Sequence, residues 1–376
     1  MKIIIDNKIP YIKGALEPFA DVVYLPVGKT TAADVKDADA IITRTRTLCN
    51  EELLAGSKVK FIATATIGFD HIDAEYCRKA GIVWANAPGC NARSVEQYIA
   101  SALFTWALNR RQRLEGKTIG IVGVGNVGKN IARFCENIGM RVLLNDPPRE
   151  RAEGGDAFGT LRTIQDEADI ITFHVPLSRS GRDATFHMGS DDFISGLVRK
   201  PLLINSCRGE VFDTNAIIAA LKNGKIDDVI IDCWENEPLI DMELLDLAFE
   251  ATPHIAGYSK DGKANGTAMS VQALSRFFKL GIDSWQPENV ELPDSTIIEL
   301  DGEQRSDEAL IAEAVLTTYN IDADDEALRN NPADFEMLRG DYPVRREFPA
   351  YTVRIRNANN SVVEKLINMG FRIEEV

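Results

Sequence analysis

The early part of the chain is punctuated by short runs that are apolar at every position: Ile3–Ile5, Val22–Leu25, Ala40–Ile42, Phe61–Ala65 and Val83–Ala85. A strand without polar alternation is buried on both faces, and helix-like stretches between such strands make a parallel α/β sheet. Ile72–Ala80 predicts one of the helices, closed by Gly81, a residue that accepts the left-handed backbone of a helix end. The rhythm restarts beyond Gly116 with Thr118–Val122, Arg141–Asn145, Asp169–Val175, Leu202–Asn205 and Asp228–Asp232, predicting a second doubly wound sheet. Between the two, Val95, Ile99, Leu103, Trp106 and Leu108 keep helical intervals, and Ser94 with Gln97 has the spacing of a capping box. A bridging helix beginning near Ser94 is therefore expected. After Pro287 the pattern thins to a helix over Asp307–Tyr319, then Tyr351–Arg356, Val362–Met369 and Phe371–Ile373, a small strand–helix–strand unit.

This organisation predicts an α/β protein of three domains. Residues 1–94 and 258–284 would form a substrate-binding domain, 95–257 a dinucleotide-binding domain, and 285–376 a small α+β domain for dimerisation. The length of 376 residues and the 45% hydrophobic content suit packed globular domains. A net charge of −15 disfavours nucleic acid and anionic membrane surfaces as partners. The acidity is concentrated: residues 286–376 hold 20 acidic and 9 basic side chains, which marks the tail as a unit with its own surface. Six scattered cysteines without a Cys-x-x-Cys pair argue for reduced thiols and against a metal centre. Met1–Asn7 has no signal-peptide pattern and no 18 apolar residues run together, so a cytoplasmic protein is expected.

The most specific local motif begins at Thr118, where an apolar strand runs into Gly123, Gly125 and Gly128 at G-x-G-x-x-G spacing and on into a helix that includes Asn126 and Val127. The glycines permit a tight turn, a close approach by pyrophosphate, and close helix–strand packing, while free helix N–H groups face the anion. The next strand ends at Asp146, whose carboxylate can accept ribose hydroxyls and repels a 2′-phosphate, so NAD is expected over NADP.

Three further segments carry the chemistry: Asn205-Ser206-Cys207-Arg208-Gly209-Glu210, Asp232-Cys-Trp-Glu-Asn-Glu237-Pro, and Thr252-Pro-His254-Ile-Ala-Gly257. Together with the glycine loop they resemble the D-isomer-specific 2-hydroxyacid dehydrogenases over about residues 1–285. The resemblance implies His254 as acid/base, Glu237 as the imidazole's partner, and Arg208 as binder of the substrate carboxylate. It also implies that Val175, Ser206, Cys207, Arg208, Asp232 and Gly257 lie at the cofactor. The roles are chemically coherent. Oxidising a 2-hydroxy acid requires loss of the hydroxyl proton, which a neutral imidazole takes; a carboxylate beside it stabilises the imidazolium; and a planar guanidinium matches a carboxylate through two parallel hydrogen bonds.

Within the family, Ala65-Thr66-Ile-Gly-Phe-Asp-His71, Asn86-Ala-Pro-Gly-Cys90 and Tyr258, with the C-terminal extension, resemble members that oxidise 4-phospho-D-erythronate at C2 in vitamin B6 synthesis. This implies Thr45, Thr66 and Tyr258 at a small phosphorylated 2-hydroxy acid, and a homodimer. Val175 stands where threonine is common and brings no hydroxyl. Arg44 and Arg46 follow a buried strand, and period-two geometry would set both on one side to bind the phosphate; Arg345 and Arg346 are further candidates. The alternatives are 3-phospho-D-glycerate as substrate and, in another class, an NAD-sensing regulatory protein.

Overall fold

The computed structural model describes residues 1–155 and 157–376, which fall into two compact units: Met1–Asn91 with Ser259–Glu291, and Ala92–Tyr258 with Leu292–Val376. In the first, strands β1 (Lys2–Asp6), β2 (Asp21–Leu25), β3 (Ala40–Thr43), β4 (Phe61–Thr64) and β5 (Val83–Ala85) form a wholly parallel sheet in the order 2-1-3-4-5. Successive side chains of a strand face opposite ways. Ile3, Ile5, Ile42 and Ala63 accordingly enter a core with Val271 and Leu274 of the helix Lys260–Phe278, while Ile4, Ile41 and Ile62 enter the core on the opposite face. The helix after β4 runs Ala74–Ala80, with the Asp73 carboxylate capping its start and Gly81 at φ 70° closing it.

The second unit carries β6 (Thr118–Val122), β7 (Arg141–Asn145), β8 (Ile170–Phe173), β9 (Leu202–Asn205), β10 (Asp228–Ile231) and β11 (Glu250–Ala251), all parallel, in the order 11-10-9-8-6-7. The chain goes outward from β6 to β7 and then crosses back to β8. The strand order therefore reverses beside β6, the place where open α/β sheets bind ligands. A third parallel sheet, β12 (Ile297–Asp301), β13 (Thr352–Arg356) and β14 (Arg372–Glu375), contains the expected strand–helix–strand unit with its helix at Asn360–Met369.

Two expectations are corrected here. The long helix runs Ala92–Asn109, and Ser94 lies inside it rather than at its cap. The Ser94 hydroxyl donates to Glu347 (2.8 Å) and the Gln97 amide donates to Thr318 Oγ1 and the Arg346 carbonyl, so both residues receive the C-terminal segment instead of closing a capping box. That segment does not stand apart with a surface of its own. Its Leu310, Ile311, Val315, Val353 and Leu366 share one core with Tyr98, Leu103, Phe104 and Phe134, and its Leu328 and Phe335 complete the core on the other face of the six-stranded sheet. Among the described residues, no helix is long and apolar enough to cross a membrane.

Candidate active site

The glycine loop has the contacts that a dinucleotide turn requires. Gly123 adopts φ 90°, and a Cβ there would come within 2.7 Å of the His174 carbonyl and 2.9 Å of the Val175 side chain. At Gly128 a Cβ would sit 2.0 Å from the Gly123 carbonyl oxygen, so only glycine lets the helix Asn126–Asn137 pack so close to the turn. Gly125, by contrast, faces open space. Val175 thus touches the loop through its methyl groups, where the resemblance sets a cofactor contact. Asn126 is exposed and accepts from Lys129, and Val127 packs toward the core.

Asp146 ends β7 and fastens this turn: one carboxylate oxygen accepts the Val124 N–H (2.8 Å), the other the Arg149 N–H (3.1 Å). A carboxylate has about four acceptor positions, so two remain for ribose hydroxyls. Ser206 follows β9, and its hydroxyl oxygen is buried without a hydrogen-bond partner among the described residues. An orphaned buried hydroxyl, an open Gly125 and a closed Gly123–Gly128 turn fit a bound dinucleotide. The Cys207 thiol, in contrast, is engaged with Asn205, and burial pushes it up to about 11.

Arg208, Glu237 and His254 stand on the segments that follow β9, β10 and β11. Arg208 follows β9, and its Nη1 donates to the Cys207 carbonyl (2.7 Å). Asn205, which the sequence reading left out, shapes this turn by accepting the Cys207 N–H and donating to the Arg208 carbonyl. At Gly209 a Cβ would lie 1.9 Å from the Trp234 carbonyl oxygen, so the Arg208 turn is locked directly against the loop that leads to Glu237. Trp234 in turn donates from its backbone to Glu237 Oε1 and from its indole to the Thr252 carbonyl, which joins the loops after β10 and β11.

His254 presents Nδ1 to both oxygens of Glu237, at 2.8 and 3.0 Å. That contact fixes Nδ1 as the donor and leaves the lone pair on Nε2. His254 has φ 55°, an uncommon conformation for a residue with a side chain. The buried Asp232 carboxylate imposes it by accepting Thr252 Oγ1, the Ile255 N–H and the Ala256 N–H at 2.7, 2.7 and 3.0 Å. Burial raises Asp232, and the charge of His254 and these hydrogen bonds only partly offset it. Burial would also raise Glu237, but the hydrogen bond and charge of His254 outweigh it and hold the carboxyl below its usual range. Cys233 Sγ completes a cluster with Glu237 and His254, its ligand atoms within 4.8 Å of one another. Burial and the charges of Asp232 and Glu237 push its thiol far up, so it stands beside the pair as a neutral group.

The remaining histidines are engaged elsewhere: His71 with Thr64, His187 with Glu235, and His174 with Thr172, with burial lowering His174 to about 3. Tyr258 lies four residues past His254 with its ring edge-on to Tyr342 of the C-terminal segment. Thr66 and Thr45 belong to the first unit. Thr66 donates to the Gly68 carbonyl and meets Thr64, and Thr45 is exposed in a turn. The alternation expected to align Arg44 with Arg46 does not reach them, because β3 ends at Thr43 and the chain turns. Arg44 is half-buried and points Nη1 at the Lys8 carbonyl, while Arg46 is exposed. Arg345 is wholly buried, donates to the Ala256 carbonyl, and lies over the Tyr319 ring at 4.5 Å, so it supports the His254 loop from behind.

The fold and this site define a dehydrogenase of hydroxy acids, and comparison with known proteins agrees. Residues 92–256 match the family model of the D-isomer specific 2-hydroxyacid dehydrogenase, NAD binding domain, and residues 291–370 match a domain of unknown function, DUF3410. The chain is similar to D-lactate dehydrogenase of Aquifex aeolicus solved with NAD and lactic acid (26% identity, TM-score 0.61, 75% of this chain and 97% of that one). It is also similar to NAD-bound 3-phosphoglycerate dehydrogenase of Entamoeba histolytica (26%, TM-score 0.62, 76% and 98%). The chain belongs to the D-isomer-specific 2-hydroxyacid dehydrogenases and is an NAD-dependent enzyme of that family. Among its curated relatives is the erythronate-4-phosphate dehydrogenase of Bacteroides thetaiotaomicron, 53% identical over 94% of this chain and 99% of the relative.

Proposed function

We propose that this enzyme oxidises 4-phospho-D-erythronate at C2 to 2-oxo-3-hydroxy-4-phosphobutanoate, a step toward pyridoxal 5′-phosphate. The observation that carries the reading is the His254–Glu237 contact at 2.8 Å, held on the same framework as Arg208. The naming of relatives over nearly the full length, tail included, favours the four-carbon acid over 3-phospho-D-glycerate. Bound NAD would supply the acceptor for the hydride, the C2 hydrogen with its two electrons. His254 Nε2 takes the hydroxyl proton, and the imidazolium it becomes is stabilised by Glu237 at Nδ1. Arg208 binds the C1 carboxylate and polarises the oxygen at C2 as it becomes a carbonyl. Gly123, Gly125, Gly128, Asp146 and Ser206 hold the cofactor, with Asp232 and Gly257 at its nicotinamide end; Thr45, Thr66 and Tyr258 hold the substrate. A cytoplasmic homodimer completes the reading, and light scattering on the eluting protein checks the dimer. The test is NADH formation with 4-phospho-D-erythronate against 3-phospho-D-glycerate. A kcat/KM at least about tenfold higher for the four-carbon acid is expected; the reverse preference overturns the proposal, and reduction with neither acid would favour the sensor.

A further inference from the structure

We propose that Arg339, on the short helix Phe335–Gly340 of the C-terminal segment, binds the phosphate of the substrate beside Tyr258. The inference rests on the substrate being a phosphorylated 2-hydroxy acid. Arg339 Nη2 lies 3.3 Å from the Tyr258 hydroxyl, and the guanidinium lies 5.7 Å from the Tyr258 ring centre and 5.8 Å from that of Phe335. Tyr258 is four residues past His254 on the same loop, so the C-terminal segment delivers a cation to the edge of the reacting pair. The charge of Arg339 is felt at Glu237 and helps hold that carboxyl low.

Among the described residues, no carboxylate takes this guanidinium in a two-pronged grip. Arg149 grips Glu153 through Nε and Nη2, both at 2.7 Å, and Arg110 grips Asp228 in the same two-pronged way. Among the described residues Arg339 hydrogen-bonds one carboxylate, Glu336, through Nη1 at 3.3 Å, and its Nε is buried with no acceptor. Most of the Arg339 side chain is withdrawn from water. A half-buried guanidinium with one donor unsatisfied costs stability unless an acceptor arrives. A phosphate supplies oxygens spaced for such a fork. Arg208 is assigned to the carboxylate at the other end of the acid, so the two cations divide the two anionic groups between them. The C-terminal segment, whose family model is a domain of unknown function, thereby acquires a part in substrate recognition.

The experiment compares wild type, Arg339→Ala and Arg339→Gln as full-length protein with NAD. If wild type leaves 4-phospho-D-erythronate unoxidised, the proposed function falls before any variant is assayed. If wild type oxidises it, Arg339→Ala should raise KM for that acid at least about tenfold, the loss of a charge-assisted hydrogen bond, with kcat lowered less than about threefold. The inhibition constant of D-erythronate, the same acid without phosphate, should stay within about twofold. Arg339→Gln keeps a polar contact to Tyr258, removes the charge, and carries the same test should the alanine variant fail to fold. A KM unchanged in the folded variant overturns the inference. So does an equal rise in KM and in the D-erythronate inhibition constant, which would mean that Arg339 orders the loop or binds the carboxylate.

Discussion

At the scale of the residue, the two free-standing glycines of the cofactor turn separate folding from binding. A methyl group at Gly128 would collide with the Gly123 carbonyl at 2.0 Å, whereas one at Gly125 meets nothing within 4 Å. Gly128→Ala should therefore lower the melting temperature by several degrees, since overpacking costs about 1–3 kcal/mol. Gly125→Ala should melt like wild type yet bind NAD at least about tenfold more weakly, since the proposed cofactor turn leaves that open space to the pyrophosphate. Differential scanning fluorimetry and calorimetric titration with NAD check the pair, and equal melting losses in both variants would contradict it. The candidate residues Arg208, Glu237 and His254 and the glycines of the turn could be named from the sequence because they lie in contiguous motifs, and the structure sets His254 against Glu237 at 2.8 Å. Arg339 was not legible. Its contact with Tyr258 spans 81 residues, and nothing in the spacing around it marks it out from the other arginines of the tail.

At the scale of the element, the apolar runs announced the strands well, since a parallel strand buried on both faces has no polar residue to break the run. The misread cap at Ser94 has a tertiary cause: the partner of its hydroxyl is 253 residues away. Strand β11 was invisible for a different reason. It is two residues long, and one of them is Glu250, an acid buried in the sheet. Burial and the carboxylates of Asp325 and Asp322 push Glu250 up to about 9, against about 4.5 for the free side chain. A group whose value is raised on folding lends its stability below the unfolded value and loses it as pH rises toward the folded one. Glu250 thus weakens the fold progressively between pH 4.5 and 9. Glu250→Gln should melt a few degrees higher than wild type at pH 8, with the difference shrinking at pH 5. A gain independent of pH would show that the acid is not the cause.

At the scale of the whole molecule, the C-terminal segment acts as part of the cofactor-binding unit. Its helix Ile321–Asn330 reaches β11 through Asp325, which accepts the Ala251 N–H at 2.7 Å, and Arg329, which donates to the Leu245 and Ala248 carbonyls. Arg345 and Glu347 hold the His254 loop and the helix Ala92–Asn109. A chain ending at Ser284 would expose the apolar residues that these elements cover, so it should aggregate or unfold rather than persist as a clean monomer. Recovery of a folded, soluble truncated protein with an unshifted melting transition would show that the shared core is dispensable.

The central claim is that His254, oriented by Glu237 and clamped by Asp232, moves the proton that accompanies oxidation at C2. The most direct measurement is the rate of NADH formation from 4-phospho-D-erythronate in a single turnover, comparing wild type with His254→Ala at matched melting temperature and matched NAD affinity. A loss of roughly 10²–10⁴ in rate is predicted; a folded, NAD-binding variant within about threefold of wild type would contradict the account.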